Sequence, residues 1–270
     1  MTAYPMFGKE VTIVLDSMPD ELAVDLCYRA YKVGLQLQKI FNYYDPKSEL
    51  SKLNLHRRAR VSSMLLKVLN FAIDISKQAE GFDVTLGKVT DARKKGKTAA
   101  INCSYKDIII EGNLVQIDNP DVFIDLGGIA KGFIAEELVN YLKKDGAKSG
   151  LVDARGDLIV FGKTQKVMIQ HPREKGFIGE IKIKNMAVAT SGDYNQYRGS
   201  YENSHIIGKN DFISATVVHK SLMVADALAT AVMTTESKDK IKKLLELHDA
   251  MALCIDKNME KIYFNGFEKL

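Results

Sequence analysis

Residues 151–190 read LVDARGDLIVFGKTQKVMIQHPREKGFIGEIKIKNMAVAT, and this stretch decides the fold class. Short apolar runs at Leu151–Phe161, Val167–Gln170, Gly179–Ile183 and Ala187–Thr190 are separated by glycine, proline and charged residues, the spacing of strands joined by hairpins. Antiparallel sheet is the natural reading. Upstream, strand-like Val122–Ile124 runs into a glycine turn and a helix from about Ile129 to Lys144, and further strand-like segments lie at Ile108–Ile110 and Leu114–Ile117. Nearer the start, a strand at Val11–Leu15 precedes a long amphipathic helix carrying Leu22, Leu26, Ala30, Val33, Leu37 and Ile40, which ends near Asn42. A second helix spans about Ser63–Ala79, with Gly81 as its expected cap. Arg93–Lys97 reads as an exposed charged loop.

Downstream come a polar loop at Gly192–Asn203, a strand at Ile213–Val218, helices at about Leu222–Thr234 and Lys238–Leu247, and closing strands at Ala250–Ile255 and Lys261–Phe264. Strands come in runs with helices between the runs, so the class is α+β, antiparallel sheets with packed helices. With neither repeat nor linker, residues 1–270 form one domain, or two closely joined lobes. At 270 residues and 46% hydrophobic, the chain can bury its own core. Lys plus Arg exceed Asp plus Glu by four (38 against 34), spread along the chain, which gives no argument for nucleic acid. Cys27, Cys103 and Cys254 are too scattered for a disulfide framework or a metal cluster. No apolar run is long enough for a membrane span, and the start lacks an export signal. A cytoplasmic location is expected, although a chain trimmed of an export or lipoprotein signal would read the same.

Two segments carry chemistry. Asp125-Leu126-Gly127-Gly128-Ile129-Ala130-Lys131-Gly132 joins a strand to a helix. Paired glycines let the backbone approach a ligand, the helix start offers N–H groups and a positive dipole end to an anion, and Lys131 adds a mobile charge. A tight turn with a solvent lysine accounts for the same letters. In Ala225-Asp226-Ala227-Leu228-Ala229-Thr230-Ala231, Asp226 and Thr230 project from one helix face, hard oxygen donors suited to Mg²⁺. A helix-start aspartate and a back-bonding threonine would look alike. Thr190-Ser191-Gly192-Asp193-Tyr194 ends a strand as a binding loop could, and His205 follows as a candidate general base or a structural histidine. The other histidines, His56, His171, His219 and His248, read as surface or loop residues.

Together with Gly8, Ser48-Glu49-Leu50-Ser51-Lys52-Leu53-Asn54, Gly81-Phe82-Asp83-Val84-Thr85-Leu86-Gly87 and Gly156-Asp157, these segments occur in an order that resembles the FAD:protein FMN transferase (ApbE-like) family over most of the chain. The resemblance implies that family's fold. It also implies Mg²⁺-dependent cleavage of FAD, the substrate, with FMN attached to a Thr or Ser of an acceptor flavoprotein and AMP released. Residue by residue it points to Asp226, Thr230 and the Ala130 carbonyl as metal ligands. It further implies that Ser51, Asn54, Asp83, Thr85, Gly127, Gly128, Lys131, Ser191 and Asp193 border FAD, and that His205, Asp226 and Lys131 take part in catalysis. The sequence departs from the family pattern after His205-Ile206, where Ile207-Gly208-Lys209-Asn210-Asp211 replaces an Asp-Pro-x-x-Gly turn, at Arg155-Gly156 in place of a doubled glycine, and after Gly87, where a proline and tryptophan stretch is missing. Competing readings are an FAD pyrophosphatase, with water as acceptor, and a carrier that binds FAD without turnover. Asp226→Ala is expected to abolish cleavage and leave the fold intact.

Overall fold

The computed structural model of the chain describes residues 1–270 except 98, 195, 196, 199, 205 and 209, and for 197, 198 and 200–203 the backbone alone. Strands β1 (Thr2–Met6) and β2 (Lys9–Leu15) form an opening hairpin. Its turn residues Phe7 and Gly8 both have positive φ, 56° and 75°, as a two-residue turn of the primed type requires. Helix α1 (Asp20–Phe41) follows, with Asp20 and Glu21 in its first turn favouring the positive helix end. Its buried seam is Leu26, Ala30, Gly34, Leu37 and Phe41, whereas Leu22 is exposed. Gly34 is required by closeness, since a Cβ there would lie 2.6 Å from Met6 Cε.

Next come α2 (Glu49–His56), β3 (Arg58–Arg60), α3 (Ser63–Gln78) and α4 (Gly87–Lys94). Ser48 and Ser62 cap α2 and α3, accepting from Ser51 N and Leu65 N. Helix α3 ends with Ala79 as its cap residue. Gly81 is instead a contact glycine: its Cβ would lie 2.6 Å from Thr234 Cβ, in place of the expected cap. The charged segment beginning at Arg93 is the end of α4 running into a turn, so it is helical at its start. Strands β4 (Ile108–Glu111) and β5 (Leu114–Ile117) join β3 in a small sheet ordered β3-β5-β4.

The remainder is α5 (Ala130–Lys144), β6 (Gly150–Ala154), β7 (Asp157–Phe161), β8 (Gln165–Gln170), β9 (Phe177–Ile183), β10 (Ala187–Gly192), β11 (Tyr197–Arg198), β12 (Ser200–Ser204), β13 (Phe212–His219), α6 (Leu222–Thr234), α7 (Lys238–Leu247), β14 (Met251–Asp256) and β15 (Lys261–Phe264). The expected polar loop after Gly192 thus includes a short antiparallel pair, β11–β12. The main sheet has eight strands in the order β1-β2-β6-β7-β10-β13-β14-β15, every neighbour antiparallel.

Alternation along the strands gives the sheet two apolar faces. Val11, Ile13, Val152, Ile159, Ala187, Ala189, Ala215, Val217 and Ala252 join the large core under the helices. Val160, Val188, Val218, Leu253 and Ile255 face a second core completed by Val167 and Ile169 of β8 and Ile181 and Ile183 of β9. Phe212 and Ile213 fall on opposite sides of the pattern set by Ala215 and Val217, because the β13–β14 register shifts by a bulge between Phe212 and Ser214. Helix α6 packs on β10 and β13. Both surfaces are built from alanines, Ala225, Ala227, Ala229 and Ala231 above and Ala187, Ala189 and Ala215 below, so helix and sheet approach closely. That closeness brings the polar residues of α6 to the end of β10.

Candidate functional site

The wall of the site is the extended segment 122–126. Val122–Ile124 was expected to be a strand; it makes a single bridge, Phe123 with Leu86. Its backbone bonds on this side all go to segment 84–87. Phe123 N donates to Thr85 O (3.0 Å), Asp125 N to Val84 O (2.8 Å), and Gly87 N to Phe123 O (2.9 Å). On the other side Asn54 acts as a strand edge in miniature, its Nδ2 donating to Ile124 O (2.9 Å) and its Oδ1 accepting from Ile124 N (2.8 Å). Asp83 is spent within the same wall, accepting from Thr85 N and Thr85 Oγ1 at 2.9 and 2.7 Å and from Tyr105 N at 2.9 Å. Ser51 donates to Tyr43 O (2.9 Å). Asn54, Asp83 and Thr85 therefore gather at the segment that enters the glycine turn, with their side chains engaged in building it, whereas Ser51 is spent on Tyr43, whose ring meets Phe123 edge-on.

At the turn, Gly127 N donates to Asp125 Oδ1 (2.7 Å), and a Cβ on Gly127 would lie 2.9 Å from that oxygen. Burial pushes the Asp125 carboxyl up, against the pull of this hydrogen bond and of Lys94 and Lys131. The helix start differs from the expectation of free donors. Ile129 N and Ala130 N donate to Leu126 O (3.1 and 2.8 Å), and Gly132 N donates to Asp226 Oδ2 (3.0 Å). The anion held by this helix end is the protein's own carboxylate.

Asp226 is the centre of the arrangement. Lys131 Nζ donates to both its oxygens (3.0 and 3.1 Å), to Gly127 O (3.3 Å), and pairs with Asp157 Oδ2 (3.2 Å). Side-chain exposure is 24% for Lys131, 9% for Asp157 and 5% for Asp226. Two nearly buried carboxylates thus share one ammonium, leaving an excess negative charge. Burial would lower the Lys131 pKa, but Asp226 and Asp157 outweigh it and hold the amine above its ordinary value. Asp157 is pushed up to about 6, first by burial and then by Asp226, against the opposing pull of Lys131. The α5–α6 contact leaves no room for a side chain at Gly132, whose Cβ would meet the Leu222 carbonyl and lie 2.9 Å from Asp226 Cβ.

One turn further along α6, Thr230 Oγ1 lies 3.0 Å from Ser191 Oγ at the end of β10, and a Cβ on Gly128 would be 3.3 Å from the same Thr230 oxygen. Asp157 Oδ1 accepts from Thr190 N (3.1 Å), tying β7 to this strand end. Lys131, Asp226, Thr230, Ser191, Gly127 and Gly128 are therefore one cluster, joined by Asp157. The sequence had shown Asp157 only as a family landmark; its chemical role was hidden because its partner lies 26 residues away.

Two expectations change. Asp226 is buried and bonded to both Lys131 and Gly132 of α5, so Asp226→Ala cannot be a silent surface change. Asp193 presents no free carboxylate: it is fully buried in a forked pair with Arg173, Nη1–Oδ1 2.7 Å and Nη2–Oδ2 3.0 Å, a residue that sequence reasoning missed. His205 lies outside the described residues. Ala130 is buried at the first position of α5, next to Lys131.

The donor set suits a hard divalent cation. Asp226 supplies a carboxylate, Thr230 a hydroxyl, and the local charge is negative; Mg²⁺ needs few protein ligands because phosphate and water complete its shell. The protein's own ammonium answers the same need for positive charge.

A sequence model of the ApbE family matches residues 7–255. A Vibrio cholerae protein named FAD:protein FMN transferase is 30% identical over 226 residues, covering 70% of this chain and 67% of that protein. The solved structure of a flavin transferase ApbE from Vibrio cholerae superposes with a TM-score of 0.83 at 24% identity, over 100% of this chain and 98% of the other. An ApbE protein from Thermotoga maritima gives 0.86 at 21% identity, over 99% and 97%. These two likenesses carry the fold, and the matches over the sequence carry the kinship. The chain belongs to the ApbE family.

Proposed function

We propose that this chain is a flavin transferase that cleaves the pyrophosphate of FAD, joins FMN to a threonine or serine hydroxyl of an acceptor flavoprotein, and releases AMP. The observation that carries the reading is the cluster of Lys131, Asp226, Asp157, Thr230 and Ser191 at a double-glycine turn, in a chain of a family whose relative in Vibrio cholerae bears that activity in its name. Asp226, Thr230 and the Ala130 carbonyl hold Mg²⁺ in this reading. Bound there, Mg²⁺ supplies charge neutralisation for the pyrophosphate and the leaving AMP.

The chain's own residues do the rest. Lys131, on a flexible stem, exchanges its hold on Asp226 for a phosphate oxygen. Gly127 and Gly128 keep the turn low enough for a diphosphate to reach Thr230. Asn54 and Asp83 act at one remove, by fixing segment 122–126. His205, on the resemblance alone, takes the proton from the acceptor hydroxyl. The location is proposed to be cytoplasmic.

The test is incubation with FAD, Mg²⁺ and a purified candidate acceptor, followed by a denaturing gel viewed under ultraviolet light. A fluorescent acceptor band together with AMP is expected, and no band with Asp226→Asn. Free FMN and AMP without a labelled protein would assign the attack to water, and FAD left intact for hours would make the chain a carrier.

A further inference from the structure

The β8–β9 hairpin packs on the far face of the main sheet, away from the large core under the helices, through Val167, Ile169, Ile181 and Ile183. Its turn is nevertheless built with care. His171 Nδ1 accepts from Arg173 N (3.2 Å) and Glu174 N (3.0 Å), and His171 N donates to Gly176 O (3.0 Å). That frame aims Arg173 at the end of β10, where its guanidinium forks onto Asp193 and also donates to Pro172 O (3.1 Å). Asp193 has no exposed surface, and its amide donates to Ile213 O (3.1 Å).

Asp193 stands at a junction. Two residues before it, Ser191 touches Thr230; one residue after it, Tyr194 folds back over Gly192, where a Cβ would collide with the ring. From there the chain leaves the sheet into β11–β12, the pair that ends at Ser204, directly before His205. A forked arginine–carboxylate pair fixes orientation as well as distance, which a lysine point charge does not.

We propose that Arg173 is a positioning residue of the flavin-transfer site: through Asp193 it fixes where β10 ends and how the segment carrying β11–β12 departs from it. The inference rests on the flavin-transfer reading for its kinetic consequence, and on geometry alone for its structural one. The β8–β9 hairpin is in this view a strut from the far face of the sheet, and the resemblance that placed Asp193 beside FAD marks an indirect effect.

The test uses the full chain as Arg173→Lys, Arg173→Met and the double variant Arg173→Met/Asp193→Leu. Arg173→Met leaves a buried carboxylate without its fork and is expected to melt lower; the double variant removes both charges and regains thermal stability. Because misplacement of about 1 Å costs on the order of 100-fold in rate, the double variant should keep a loss of about 10- to 100-fold in kcat/KM for FAD despite its restored melting temperature, and Arg173→Lys should fall between it and the parent. Amide hydrogen exchange, which needs no turnover, should rise at least about tenfold over residues 190–204 in the double variant while β13 and β14 stay protected. Unchanged exchange there, or parental kcat and KM in a double variant of parental stability, overturns the proposal. If the parent itself neither cleaves nor transfers FAD, the flavin-transfer reading fails, and exchange alone then decides whether Arg173 holds this segment.

Discussion

Lys131→Met tests the cluster most directly, because the lysine holds two carboxylates at once. Its amine is 3.0 and 3.1 Å from the Asp226 oxygens and 3.2 Å from Asp157. Methionine keeps the length of the side chain and removes the charge, leaving Asp226 and Asp157 facing one another with little solvent. Breaking a buried pair by removing one partner costs about 3–5 kcal/mol, and at about 2–4 °C per kcal/mol for a chain of this size the melting temperature should fall by roughly 6–20 °C in EDTA at pH 8. The loss should shrink at pH 5. Asp157, already pushed up to about 6 with the lysine present, rises further without it and takes a proton that removes the repulsion. The sign is fixed by linkage: a carboxyl raised above its usual value of 3.8 contributes stability at low pH and loses it as pH climbs through its folded pKa. Mg²⁺ should restore more stability to the variant than it adds to the parent, because in the parent it competes with the ammonium for Asp226. Thermal unfolding at the two pH values, with EDTA and then with millimolar Mg²⁺, reads all of this. A variant within 2 °C of the parent at pH 8, or a parent that gains as much from Mg²⁺ as the variant, refutes the reasoning.

Gly132→Ala forces a methyl into the α5–α6 contact against the Leu222 carbonyl and Asp226 Cβ; urea unfolding should show a loss of about 1–3 kcal/mol, with Mg²⁺ affinity by calorimetry reduced as the two helices part. Asn54→Ala strips both hydrogen bonds from buried Ile124 and should cost about 2–4 kcal/mol, raising KM for FAD more than it lowers kcat because the glycine turn loses its support. Burial holds the His219 imidazole below its ordinary value. It therefore contributes stability above pH 6.5 that is lost as pH falls through the lower folded pKa, and His219→Asn should flatten the melting-temperature profile below pH 6.5.

The features legible in the letters alone are local. The 3.6-residue periodicity of Leu26, Ala30, Leu37 and its neighbours gave α1, the hairpin spacing of residues 151–190 gave antiparallel strands, and the glycine and alanine letters around Asp125–Gly132 and Ala225–Ala231 marked where backbones approach closely. Each of these signals is carried by residues within one turn or one hairpin of each other. Val122–Ile124 shows the limit: its letters suit a strand, but whether its amides meet a ladder or the side chain of Asn54, 70 residues away, is a matter of which segments the fold brings alongside.

What the charges do depends on contacts between distant segments. Lys131 and Asp226 lie 95 residues apart, Arg173 and Asp193 lie 20 residues apart, before β9 and after β10, and neither pairing has a sequence period to reveal it. Burial decides the rest. The same aspartate letter is a shared ion-pair partner at Asp226, a carboxyl pushed up toward neutrality at Asp157 and a sealed anchor at Asp193, because desolvation and the sign of the nearest charge are set by the neighbours that folding supplies.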